Sequence, residues 1–223
     1  MTGGSLPPGV HRPPEGLTWR HADPACLVVD KPAGLLSVPG RGPDKQDCAA
    51  TRVQAACADA LVVHRLDMAT SGLLLFARGQ AAQRAYSSAF ERGEVSKRYV
   101  AVVQGRMAPP EAWGPVRDWE GRTGWGQIDL PLAADWPRRP LQKVDADQGR
   151  PSRTLWRILA HEGESTRVEL APLTGRSHQL RVHLLALGHP ILGDTLYGSP
   201  EVQARAPRLL LHASRVDFPH PVD

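Results

Sequence analysis

The chain has 223 residues, 41% of them hydrophobic and 22% charged, with a formal net charge of +4. That length supports one sizeable core, and the balance is ordinary for a globular protein. No apolar run reaches the ~20 residues a membrane helix needs. Residues 1–15 are rich in Pro and Gly and lack the apolar stretch of a secretory signal, so a cytoplasmic location is expected. The three cysteines, Cys26, Cys48 and Cys57, form no metal-type pair, and their odd number argues against a disulfide framework. Most positive side chains are arginines, whose planar fork suits phosphates and bases, although a GC-rich genome would produce the same bias.

In chain order, residues 1–17 read as a disordered tail. Cys26–Asp30 reads as a strand stopped by Lys31-Pro32-Ala33-Gly34, because Pro and Gly end a ladder. Residues 37–47 read as an exposed loop and 48–58 as a short helix. Leu61-Val62-Val63 and Leu73-Leu74-Leu75-Phe76 are strand-like and enclose a turn at 64–72. Residues 81–92 have helical period, with Ala82, Ala85, Tyr86, Ala89 and Phe90 on one face and Gly93 as terminator. A strand around Tyr99–Val103 follows. Residues 105–127, rich in Gly, Pro and Trp without a clear period, read as a long surface excursion. Strands are expected at 153–160 and 165–171. A helix is expected at 178–187, capped by Ser177 and Gly188, and a final strand begins at Leu209. Strands dominate without βαβ alternation, which predicts an α+β fold around a mostly antiparallel sheet. The expected organisation is a single domain over 18–223.

Four groups of residues invite chemistry. Asp67, in His64-Arg65-Leu66-Asp67-Met68-Ala69-Thr70-Ser71-Gly72, is a carboxylate in a loop beside a cation. It reads either as the cap of its own turn or as an ionised nucleophile or base. Arg181, in Thr174-Gly175-Arg176-Ser177-His178-Gln179-Leu180-Arg181-Val182-His183, sits on a helix apolar on more than one side and therefore needs a carboxylate or phosphate partner. Asp67 is one candidate; another acid or solvent is the alternative. Tyr99, in Lys97-Arg98-Tyr99-Val100-Ala101, either stacks on a base or is an ordinary strand residue. The stretch Asp135-Trp136-Pro137-Arg138-Arg139-Pro140-Leu141-Gln142-Lys143 suits phosphate contacts with some stacking, or is a solvated basic loop. Trp113, Trp119 and Trp125 with Arg117 and Arg122 allow the same reading. His178 and His183 are five residues apart, a poor spacing for a helical metal site, so no metal is expected there. No Walker, dinucleotide or nucleophile-elbow motif is present.

Taken together, Val29–Leu35, His64–Gly72, Lys97–Ala101, Thr174–His183 and Gly188–Gly198 resemble, in order, the motifs of the RluA family of pseudouridine synthases, from about residue 25 to 218. Residues 129–144 and 199–212 are similar to a dual-specificity branch of that family, which modifies a uridine in 23S rRNA and one in certain tRNA anticodon loops. The resemblance implies a mostly antiparallel mixed sheet flanked by helices and loops with a central RNA-binding cleft. It also implies site-specific isomerisation of uridine to pseudouridine without a cofactor, by a monomer with no protein partner and no S4 domain. It implies that Asp67, Tyr99 and Arg181 are the catalytic set, with Arg181 pairing with Asp67. It implies too that Arg65, His64, Arg139, Lys143, Arg176 and His178 are RNA contacts. A non-catalytic RNA-binding or RNA-folding protein on the same scaffold is the competing reading, and an aspartate-nucleophile hydrolase a remote one. Two departures stand out: the 105–129 segment is longer than the resemblance leads one to expect, and the chain reaches Asp223 where the family pattern continues through another strand.

Overall fold

The structure is a computed structural model that describes residues 6–221. The calls on the first five residues and on the end at Asp223 lie outside the described residues. The chain divides into two compact units: one formed by residues up to Ser96 together with those from Ala213 onward, the other by Lys97–His212. No helix among the described residues is long and apolar enough to cross a membrane.

In the first unit, β1 (Thr18–Ala22) pairs antiparallel with β2 (Cys26–Lys31). The chain continues through α1 (Ala49–Ala56), β3 (Ala60–Val62), β4 (Ser71–Arg78) and α2 (Gly79–Glu91). β4 pairs antiparallel with both β2 and β3. The near-continuous apolar runs of β2 and β4 mark strands covered on both faces. Leu27, Val29, Leu75 and Ala77 are fully buried, and α2 lays Ala82, Tyr86 and Ala89 inward. Gly72 enters β4 with φ +115°, and a Cβ there would run into the backbone of Ala213, so only glycine fits.

Residues 6–17, expected as a loose tail, are instead docked on this unit. Val10 and Leu17 are buried, and the His11 N–H donates to Ala56 O at 2.9 Å. Arg78 donates to Pro8 O and Arg52 to Glu15 O. The apolar Val10 and Leu17 side chains, isolated in sequence, give the segment something to bury. β1 went unread because Thr-Trp-Arg-His-Ala is mostly exposed and shows no clean alternation.

The second unit holds β5 (Ser96–Gln104), β6 (Arg117–Trp119), β7 (Arg122–Asp129), β8 (Leu132–Ala134), β9 (Gln142–Val144), β10 (Arg153–Glu162) and β11 (Ser165–Pro172), then α3 (Gln179–Ala186) and α4 (Pro200–Ala204). Its main sheet runs β5-β11-β10-β7-β6, antiparallel at each of these pairings, and β8 and β9 form a separate ribbon. β12 (Leu211–Asp217) carries the chain back into the first unit. The α+β expectation holds, with the strands long and the helices short.

The segment 105–127 is exposed over most of 111–123, as expected of a surface excursion, but it ends in the core. Its second half forms β6 and β7, and Trp125 is fully buried, edge-on to Trp119 at 5.2 Å between ring centres. The glycines flanking Trp125 hide the strand pattern in sequence, yet Gly126 is required because a Cβ would collide with the Trp156 ring. Arg98 lies 5.0 Å over the Trp119 ring and Arg157 5.0 Å over Trp125, and both arginines pair with Glu169. Trp119 and Trp125 therefore build core rather than an RNA surface.

Candidate active site

Asp67 lies in the irregular segment between β3 and β4, half-buried, with Arg65 and Met68 exposed on either side and Leu66 tucked in. The turn is closed by the Thr70 N–H donating to Asp67 O at 3.0 Å. What fixes the loop comes from Lys31–Ser37, a stretch to which the sequence reading gave no supporting role and whose Ser37, expected in an exposed loop, is buried. Ser37 Oγ donates to Leu66 O at 2.7 Å and accepts from Leu66 N at 3.0 Å, a reciprocal clamp on the residue before the acid. On the other side, Met68 O accepts from the Gly34 N–H at 2.9 Å and from Lys31 Nζ at 3.1 Å. Asp67 is thus held between two pinned neighbours.

Lys31 is fully buried, and its ammonium also donates to Pro32 O and Leu35 O. Burial pulls its pKa down to about 8, opposed by the negative charge of Asp67. An ammonium held by three carbonyls near the acid is the local electrostatic partner that sequence reading missed. Its signal was a Lys directly after a buried strand, where no solvent is expected. His64 braces the same loop: Nε2 accepts the Leu75 N–H at 3.0 Å and the ring stacks on Phe90 at 4.9 Å.

The second unit carries the remaining site residues. Tyr99 stands half-buried on β5, opposite Leu170 of β11. By strand alternation it shares a face with Lys97, whose ammonium lies near Gly175 of the loop before α3. α3 buries six consecutive residues, Gln179 to Leu184. Ser177 does not cap it. His178 takes the capping position with φ +53°, and Gln179 Oε1 accepts the Arg176 N–H instead. Gln179 thereby holds the loop that leads into the helix, and the N-terminus has no side-chain cap.

Arg181 is 3% exposed and has the carboxylate that a buried guanidinium requires: Asp194, 1% exposed, in a two-pronged pair of 2.8 and 2.5 Å. Asp194 also accepts the N–H groups of Leu196 and Tyr197, and the Arg181 guanidinium lies 5.0 Å over the Tyr197 ring. The Tyr197 hydroxyl accepts the Gln142 N–H and reaches His178 Nδ1 at 2.7 Å. Arg181, His178 and the Trp136–Lys143 segment are therefore brought together through Tyr197 and Asp194, neither of which sequence reading gave a role.

On the exposed side of that segment the Arg139 guanidinium lies 3.5 Å above the ring of Trp136, itself 68% exposed. Lys143 pairs with Asp145 at 2.9 Å, so its charge is partly spent within the protein. Arg176 is exposed, with Nε donating to Pro151 O. His183, by contrast, is a core residue between Thr154 and Leu130 O, its pKa lowered by burial.

An acid in a pinned turn, a strand bearing a tyrosine and a helix with a buried arginine follow one another in the chain, as in the expected family. The family model for RNA pseudouridylate synthases matches residues 25–186, and the chain belongs to that family. It is 47% identical, over 95% of its own length and 91% of the relative's, to the dual-specificity RNA pseudouridine synthase RluA of Escherichia coli K12. The enzyme of the same name from Yersinia pestis is 48% identical over 90% of this chain and 91% of its own. Among solved structures, human RNA pseudouridylate synthase domain containing 1 superposes with a TM-score of 0.75 at 27% identity, covering 100% of this chain and 83% of that one.

Proposed function

We propose that this pseudouridine synthase isomerises uridines in 23S rRNA and in a tRNA anticodon loop, with Asp67 carrying the reaction. The dual specificity named for relatives matching nearly the whole chain supports the two RNA classes. The observation that carries the assignment of Asp67 is its fixation: backbone clamps hold the residues on both sides, while the acid itself stays half-buried and reachable.

The reaction breaks the N1–C1′ bond of the nucleotide, turns the uracil and rejoins it through C5, so atoms and oxidation state are conserved. A positioned carboxylate serves as the nucleophile or base that makes this possible. Tyr99 is the aromatic side chain proposed to meet the uracil, and Arg181, fixed by Asp194, the third member of the proposed catalytic set. Arg65, exposed beside Asp67, enters the RNA stack from which the uridine is extruded, at a cost of a few kcal/mol. The Trp136–Arg139 platform offers a stacking surface and Arg176 a phosphate contact. His64 supports the loop.

The test is pseudouridine mapping in rRNA and tRNA from cells lacking the protein. Loss of one rRNA and one anticodon-loop pseudouridine, both restored by the wild-type chain, is the expected result. An unchanged map would reject these substrates.

A further inference from the structure

The turn between β1 and β2 gathers side chains that uridine isomerisation does not use. His21 Nε2, Cys26 Sγ and His220 Nε2 all converge on one atom, Asp23 Oδ2, at 2.5, 3.4 and 3.2 Å. The ligand atoms of His21, Asp23 and Cys26 lie within 4.8 Å of one another. The other carboxylate oxygen is occupied by the Ala25 and Cys26 N–H groups, both at 2.7 Å, which fixes the carboxylate's direction. Arg78 holds the turn from outside through Asp23 O.

We infer that His21, Asp23 and Cys26 form a binding site for a divalent ion of the zinc class, with water completing the coordination. An imidazole, a thiolate and a carboxylate are ligand types that such ions select. Tetrahedral bonds of about 2.0–2.3 Å place ligand atoms roughly 3.3–3.7 Å apart, so His21 Nε2, 2.5 Å from Asp23 Oδ2, moves outward when the ion enters. The carboxylate and the thiolate together would neutralise a doubly charged ion.

A second observation points the same way. The Tyr86 hydroxyl, in a residue 1% exposed, lies beside the Cys26 thiol yet has no hydrogen-bond partner of normal geometry. A thiol is a poor acceptor; a metal-bound thiolate is a good one, and Tyr86 is placed to donate to it as an outer partner of the ligand. Without metal the Cys26 thiol carries its proton and donates it to Asp23 Oδ2. Binding forms the metal–sulfur bond, breaks the S–H bond and releases that proton to solvent. Sequence reading missed the site because His21, Asp23 and a single Cys26 make no familiar metal spacing. His220, 3.2 Å from Asp23 Oδ2, already ties the segment after β12, where Phe218 packs edge-on to Tyr86, to the β1–β2 turn.

The test strips the full chain with a chelator and titrates it with Co²⁺. One equivalent is expected to give a thiolate-to-cobalt charge-transfer band that Zn²⁺ displaces. Cys26→Ser should lose the band. Because Cys26 is buried, the exposed His21→Ala is the second variant, expected to stay folded by circular dichroism and to bind cobalt at least about tenfold more weakly. A folded wild-type protein that gives no band, or one whose melting temperature responds to Zn²⁺ no more than that of Asp23→Asn, would overturn the site.

Discussion

Arg181 and Lys31 are two buried cations with opposite solutions. Arg181 has a full carboxylate partner, Asp194. Removing one member of such a pair strands the other charge, so Asp194→Ala should lower stability by about 3–5 kcal/mol, measured by urea unfolding. It should also reduce turnover by letting the guanidinium move. Lys31 is held by three carbonyls, and its pKa in the folded protein, about 8, lies below its ordinary value. From pH 8 to about 10.4 the unfolded chain therefore binds more protons at this group, and its contribution to stability rises with pH. The unfolding free energy of wild type minus that of Lys31→Met should increase across that window. At this scale Asp67, Tyr99 and Arg181 stood out in the sequence because charge and aromaticity do. Their supports did not: Ser37, Gly34 and Lys31 act on the backbone of residues about thirty or more positions away, and Asp194 reaches Arg181 across a turn. No local pattern records such contacts.

Among the elements, α1, α2, α3 and the strands β2, β4, β5, β10 and β11 were legible, whereas α4, β8 and β9 had no counterpart in the sequence reading. α2 followed its apolar face and Gly93 ended it, while β10 and β11 appeared within about two residues of their expected bounds. β6 and β7 were not, because Trp125 sits between glycines that local rules assign to a loop but that tertiary packing requires. For the proposed role of Asp67, the pairing that bears most directly is that of the Lys31–Ser37 loop with the 64–70 turn. Ser37→Ala would leave the Leu66 N–H without its buried partner, at a cost of about 1–3 kcal/mol. The expected kinetic signature is a fall in kcat with KM for RNA little changed, since the clamp orients the acid without meeting the RNA. A raised KM at unchanged kcat would show that the clamp does something else.

For the molecule as a whole, excess arginine on a +4 chain predicts RNA affinity that drops steeply with salt. The exposed Trp136 with Arg139 stacked on it is the most specific surface feature for that role. Trp136→Ala should cost about 1–3 kcal/mol of RNA binding at fixed ionic strength, with the salt slope retained. Arg139→Ala should lower that slope by about one if it meets a phosphate. Unchanged affinity in Trp136→Ala would remove the platform from the interface. The family match spans residues from both compact units, so the fold and the order of motifs agree where composition alone decided nothing.

The central claim is that Asp67 carries the isomerisation, and tritium release from RNA labelled at uridine C5 tests it most directly. Wild type should release tritium from tRNA or 23S rRNA, whereas Asp67→Ala and Asp67→Asn should fall to background while binding the same RNA within a few-fold. Release by Asp67→Ala at the wild-type rate, or none from wild type with either RNA, would contradict the account.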